Sequence, residues 1–193
     1  MELFTPEESR CIADSSFLLT KTEVIRKIDR LLAETRDHLR EICLEQGRSW
    51  PSKVDVSTGK ISRGENYQSL PYMVLDFPCF FSRDNIFSLR TMFWWANFFS
   101  CTLHLQGTFL NTWRPLIRRN IDVLSANYLF ISVGPTPWEY HYEEDNYARL
   151  SQHHLSLVES ASFIKLSRRI PLNEVESVKE KTGDFWKLLL SLT

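Results

Sequence analysis

Apolar residues along the first quarter of the chain recur every three or four positions. Val24, Ile25, Ile28, Leu31, Leu32, Leu39, Ile42 and Cys43 form one stripe, with Arg26, Lys27, Asp29, Arg30, Glu34 and Asp37 on the opposite side. That spacing predicts a long amphipathic helix. Thr20 and Glu23 have the spacing of a capping box at its start, and Gly47 and Pro51 mark its end. A shorter helix is expected before it, from Pro6 to Asp14. The period then changes to two. After a turn at Ser57-Thr58-Gly59-Lys60, a strand is expected over Tyr67–Asp76, with Pro71 near its start or on a sheet edge.

The clearest alternation lies between Ile86 and Leu105. Phe87, Leu89, Thr91, Phe93 and Trp95 fall on one side of the first strand, and Ile86, Ser88, Arg90, Met92 and Trp94 on the other. In the second strand Phe99, Cys101, Leu103 and Leu105 oppose Ser100, Thr102, His104 and Gln106. Two strands, each with one greasy face, joined by a tight hairpin at Ala96-Asn97, satisfy this pattern. Helical spacing returns from Asn111 to Ala126, where Pro115 should occupy the first turn. Tyr128–Val133 reads as a short strand and Gly134-Pro135-Thr136-Pro137 as a rigid loop. Tyr140–Tyr147 reads as a hairpin arm or an ordered loop, and Ser151–Val158 as a short helix. Phe163–Ile170 alternates again, with Ile164, Leu166 and Ile170 against Lys165, Ser167 and Arg169, until Pro171 stops it. Glu174–Leu192 reads as a helix with a break near Gly183.

Helices and strands are thus segregated, without β-α-β alternation. The expected fold is α+β, a single mostly antiparallel sheet packed against a long N-terminal helix and a C-terminal helix. No linker, repeat or low-complexity segment interrupts the 193 residues, so one domain over 1–193 is expected. Within that order, Leu70-Pro71-Tyr72-Met73-Val74-Leu75 leads into an aromatic strand. Phe163 is followed by Arg168-Arg169-Ile170-Pro171 and a C-terminal helix. In these fragments the chain resembles the YktB-like bacterial family. The resemblance implies a TATA-binding-protein-like α+β fold and no particular activity. The Trp94-Trp95 hairpin and the Gly134-Pro135 loop depart from it.

Composition narrows the functional classes. Basic residues number 23 and acidic residues 24, so the basic excess of a nucleic-acid module is missing. With only 6 glycines, neither a Gly-rich phosphate loop nor a dinucleotide fingerprint occurs, and no cofactor is expected. Cys11, Cys43, Cys79 and Cys101 form no Cys-x-x-Cys pair, and a domain of this size needs no disulfide staple. No signal-like N-terminus or membrane-length apolar run is seen, which points to a cytoplasmic protein. The histidines lack metal-ligand spacing. His141 and Glu143 could share a strand face, with His153 joining them, but an exposed acidic loop explains them as well, and no metal site is expected.

The candidate sites follow from the strand faces. Cys101 and His104 are three apart on a strand, so they point to opposite faces and cannot form a thiol–imidazole pair. The mixed face carrying Arg90, Trp94 and His104 must be covered by helices of the chain, a ligand or a partner, because large bare apolar patches are rare in monomers. The segment Arg63-Gly64-Glu65-Asn66-Tyr67-Gln68-Ser69-Leu70-Pro71-Tyr72 gathers a charged pair, an amide and two tyrosines in a Gly- and Pro-marked stretch, where Arg63 could pair with Glu65 in a structural turn or grip a carboxylate. Trp138 and Tyr140, beside the proline loop, could line a pocket mouth or plug the end of the core. The leading expectation is a non-catalytic binding or interaction module that holds a small molecule or a second copy with Arg90, Trp94, His104, Arg63, Glu65, Tyr67 and Trp138 as candidates. One alternative is a small enzyme using His104 as acid or base beside Arg90, Glu65 or Asp76. The other is a single-stranded nucleic-acid platform on the aromatic and cationic face.

Overall fold

A computed structural model describes residues 3–45, 50–51 and 53–193. Among the described residues seven strands form one antiparallel sheet in the order β1-β2-β3-β4-β7-β5-β6. They are β1 Lys60–Tyr67, β2 Leu70–Phe81, β3 Ile86–Trp94, β4 Phe98–Gln106, β5 Phe130–Ser132, β6 Tyr147–Arg149 and β7 Phe163–Pro171. The helices are α1 Pro6–Ala13, α2 Ser15–Glu45, α3 Thr108–Arg119, α4 Ile121–Ala126, α5 Leu155–Ser160 and α6 Val178–Leu190. This is the expected α+β architecture. One face of the sheet packs on α2, α3 and α6, and the long segment between β5 and β6 crosses the other.

The two-residue rhythm is realised directly. Phe87, Leu89, Phe93, Phe99, Cys101, Leu103 and Leu105 join Leu32, Leu39 and Ile42 of α2 and Phe185 and Leu189 of α6 in one core. Ala96 takes a left-handed φ of 59° in the β3–β4 turn, and Asn97 N–H donates to the Trp94 carbonyl at 3.1 Å. Val74, Met92, Trp94 and Phe98 form a second, smaller cluster on the opposite face.

Several boundaries differ from the sequence expectation, each for a local reason. The long helix opens at Ser15 rather than at Thr20, because Asp14 Oδ1 accepts the Phe17 N–H at 2.9 Å and acts as the cap. The expected stop at Gly47 lies outside the described residues. Tyr67–Asp76 is not one strand. A two-residue turn at Gln68 and Ser69, with φ of 48° and 64°, separates β1 from β2. Asn66 Oδ1 braces that turn by accepting the Ser69 N–H at 3.2 Å. Pro71 is the second residue of β2.

The helix expected from Asn111 to Ala126 begins at Thr108, whose N–H and hydroxyl both donate to Asn85 Oδ1 at 2.8 Å, and it breaks at Asn120. Pro115 lies inside α3 rather than in its first turn. It is on the solvent side, as is Asn111, whose carbonyl Pro115 leaves without a helical donor. The expected Ser151–Val158 helix is a 3-10 turn followed by α5. The last helix, α6, follows a 3-10 segment from Leu172 to Ser177 and runs unbroken through Gly183. A Cβ at Gly183 would lie 2.4 Å from His38 Nε2, so any larger residue would displace that imidazole.

The four cysteines are all free. None of the described helices is long and apolar enough to cross a membrane.

Candidate functional site

The sheet face opposite the helices holds an unusual number of buried polar side chains. Asp76 from β2, Ser88 from β3, Thr102 and His104 from β4, and Lys165 and Ser167 from β7 are all buried. They fall on one side because each is in register with, or two residues from, its neighbour: Asp76 opposes Arg90, Ser88 opposes His104, and His104 opposes Lys165. Burying such groups is costly unless each finds a partner. Asp76, Ser88 and Thr102 find theirs within the sheet, whereas the segment 133–146, a strap between β5 and β6, supplies partners to Lys165 and Ser167.

The strap is shaped by its own sequence. Pro135 and Pro137 cannot donate to a ladder, which keeps the chain out of the sheet. Beyond them aromatic and polar residues alternate, so Tyr140 and Tyr142 both reach the sheet. The Tyr142 hydroxyl hydrogen-bonds Ser167 Oγ, and its ring packs edge-on between Phe98 and Phe130, with centroids at 5.1 and 4.9 Å. Tyr67, at the end of β1, ties the strap from the other side. Its hydroxyl accepts the N–H groups of Tyr140 at 2.6 Å and His141 at 3.0 Å, and donates to Glu139 Oε2 at 3.0 Å. Burial, reinforced by Glu139, pushes the Tyr67 phenol up to about 12, so it stays protonated. Lys165 Nζ donates to the Glu139 carbonyl and lies 4.6 Å from the Tyr140 ring centroid and 5.0 Å from that of Tyr147.

Arg90 is the centre of the arrangement. Its Nε donates to Asp76 Oδ1 and its Nη2 to Asp76 Oδ2, both at 2.8 Å, while Nη1 donates to the Tyr140 hydroxyl. Ser88 Oγ adds a bond to Asp76 Oδ1 at 2.7 Å. Burial works against the charge on Arg90, but the Asp76 carboxylate outweighs it and the guanidinium is held protonated. A guanidinium has five N–H donors, and these bonds use three.

Above Arg90 a cavity of about 310 Å³ opens between the β1–β2 hairpin and the strap, lined by Asn66, Tyr67, Tyr72, Met92, Trp138 and Tyr140 among others. Tyr72 stands over Gly64, its register partner. A Cβ on Gly64 would fall 2.3 Å from the Tyr72 ring, so the missing side chain makes room for that wall. Trp138 separates this cavity from a larger cleft of about 580 Å³, where Arg83 is the only charged lining residue among those described.

The seven residues singled out from sequence divide cleanly. Arg90, Tyr67 and Trp138 line the small cavity together. Trp94 is buried behind it against Tyr67, with ring centroids 5.0 Å apart. His104 lies on the same face but under the far side of Trp138, edge-on to Trp138 and Phe163, and its Nε2 has no hydrogen-bond partner among the described residues. Burial, with Lys165 and Arg90 nearby, lowers His104 to about 3, which keeps it neutral. Arg63 and Glu65 do not pair with each other and turn towards α2: Arg63 pairs with Asp29 at 3.2 Å and Glu65 with Lys21 at 3.7 Å. The mixed face is covered by the chain itself, and the cover is the strap rather than helices.

Asn66 and Tyr72, both in the segment singled out from sequence, line the cavity, whereas sequence reasoning missed Lys165 as a member of this region. Lys165 had a signal, since the alternation over β7 placed it with Ser167 and Arg169 on the non-apolar face. Its burial had none, because the strap that covers it is distant in sequence. Among the described residues no group of three His, Cys, Asp or Glu side chains is placed to hold a metal ion. Comparison with protein-family models, with curated proteins and with solved structures returned no match.

Proposed function

We propose that the protein is a non-catalytic binding module for a small planar ligand bearing a carbonyl-type acceptor, held in the cavity above Arg90. The observation that carries this reading is the guanidinium itself. It forms the floor of an aromatic-walled cavity, it is locked by a two-point bond to Asp76, and it keeps two N–H donors in reserve. Because Asp76 balances its charge, the floor favours a neutral acceptor over a carboxylate. Tyr72, Tyr140 and Trp138 supply ring faces for a flat molecule. The volume is at the small end of ligand sites. Binding is favoured over turnover because His104 is neutral, walled off by Trp138 and Phe163, and without a hydrogen-bonded partner. The strap also occupies the face that a nucleic-acid strand or a second copy would need.

Nicotinamide is a suitable probe, being flat, neutral and amide-bearing. At about 0.5 kcal/mol for each of its roughly nine non-hydrogen atoms its Kd would be near 1 mM. Titration followed by protein NMR should shift the Asn66 side-chain amide and the Trp138 indole N–H saturably, and benzoate should bind more weakly. Trp138→Ala, at an exposed position, should weaken binding at least fivefold without loss of fold. Unsaturable shifts up to 20 mM, or equal binding by Trp138→Ala, would remove the basis for the proposal.

A further inference from the structure

A second concave site lies at the other end of the sheet. β5 covers β7 only at Leu166 and Ser167, so among the described residues the outer edge of β7, away from β4, has no strand beside it from Arg168 onward. Around that open edge is a cleft of about 500 Å³ lined by Tyr128, Phe130, Arg149, Arg168, Arg169 and Lys181. Four cations therefore face one cavity in a chain whose formal net charge is −1. Lys181 is paired with Glu174. Among the described residues none of the three arginines has a carboxylate within salt-bridge distance.

The arginines are held by ring faces instead of by counter-ions. Arg168 lies over Phe185 on the helix side, with its guanidinium carbon 5.8 Å from the ring centroid. Arg169 lies over Phe98 on the strap side at 5.1 Å. Successive strand residues point to opposite faces, so these two forks reach the edge from above and below. Arg149 lies 4.8 Å from the Phe130 centroid and 5.2 Å from that of Tyr128, and one of its Nη atoms donates to the Tyr128 carbonyl at 2.8 Å. A guanidinium packed on a ring by its face keeps its in-plane N–H edge for other acceptors. Tyr128, with a left-handed φ of 58°, is 73% exposed. A bulky residue in that region is strained, and here it leaves an aromatic face in solvent beside the arginine forks.

We infer that this cleft is an anion site for the phosphate of a small phosphomonoester, with Arg149, Arg168 and Arg169 as the ligands and Tyr128 as a stacking face for an attached ring. Three guanidinium groups without a carboxylate counter-ion among the described residues suit a phosphate dianion, whose oxygens accept paired N–H bonds. The site shares no residue with the Arg90 cavity, and either can fail without the other.

The probes are phenyl phosphate, inorganic phosphate and phenol, titrated at 50 mM salt and followed by NMR of the arginine Nε–H groups. Phenyl phosphate should bind saturably and inorganic phosphate more weakly, while phenol should cause no saturable shift. Affinity should fall steeply as salt is raised. Arg149→Gln and Arg169→Gln alter exposed side chains, and together they should lower phenyl phosphate affinity at least tenfold. Lys181→Gln provides a further variant in the same cleft and should weaken binding severalfold. Arg118→Gln, which removes an exposed cation elsewhere, should change nothing. The inference is overturned by the absence of saturable binding up to 20 mM. It is equally overturned if the double variant retains wild-type affinity, or if Arg118→Gln reduces binding as much as it does.

Discussion

Lys165 offers the sharpest test of the buried polar layer. The residue is completely buried, between the rings of Tyr140 and Tyr147, and its amine donates to the Glu139 carbonyl. Burial, and then the Arg90 charge, lower its pKa to about 7 from 10.5. In the unfolded chain the amine keeps its ordinary value and binds a proton throughout that interval. The folded state therefore binds fewer protons than the unfolded state between pH 7 and 10.5, and stability must rise with pH across the window. The slope is about 1.4 kcal/mol per pH unit for one proton, or on the order of 5 kcal/mol in all.

Lys165→Met keeps the length of the side chain and removes the titration. The assay is urea unfolding of both proteins from pH 7 to 9.5. That range stops short of the ordinary pKa of tyrosine, where the buried phenols would begin to act in the opposite sense. The stability of the wild type minus that of Lys165→Met should climb by about 1.4 kcal/mol per unit once pH exceeds about 7.5. Subtraction cancels the cysteines and every other group common to both chains. Parallel stability curves would refute the reasoning, whatever the absolute stabilities, because they would mean the amine titrates alike in both states.

Other perturbations probe separate links. Asp76→Asn leaves the Arg90 guanidinium buried without its counter-ion and should cost about 3–5 kcal/mol in chemical denaturation, whereas the Asp76→Leu/Arg90→Met pair should recover much of it. Tyr67→Phe strips the acceptor from two strap N–H groups, so amide hydrogen exchange at Tyr140 and His141 should accelerate and stability should drop by about 1–3 kcal/mol. Gly64→Ala forces the Tyr72 ring aside and should weaken nicotinamide binding as well as lower Tm, while a wild-type affinity would show that Tyr72 is not a wall of the site. His104 is lowered to about 3 from 6.5, so the folded state binds fewer protons over that interval and stability is lost as pH falls through it. His104→Gln should flatten the acid limb of the stability profile between pH 6.5 and 3.

How much of this was legible in the sequence depends on how local each determinant is. The Ile86–Leu105 hairpin is encoded by its own alternation, and the structure places each of those residues on the face its parity assigns. The α2 stripe and the stop at Pro171 are equally local. The β1–β2 turn was not legible, because Gln68 and Ser69 adopt left-handed φ without glycine and are held there by Asn66. Pro115 misled for a similar reason: its usual place is a first turn, yet a solvent-facing position in α3 tolerates it. Of the site, Arg90, Tyr67 and Trp138 could be named but not joined, since β1, β3 and the strap meet only in the fold. Arg63 and Glu65 adjoin Tyr67 in sequence, but α2 supplies the opposite charges that draw them away.

The central claim is that the cavity over Arg90 receives a flat, acceptor-bearing molecule. Intermolecular nuclear Overhauser contacts from nicotinamide ring protons test it most directly. The account predicts contacts to the ring protons of Tyr72, Tyr140 and Trp138 together. Contacts confined to other parts of the surface, or none at a concentration that saturates the amide shifts, would contradict it.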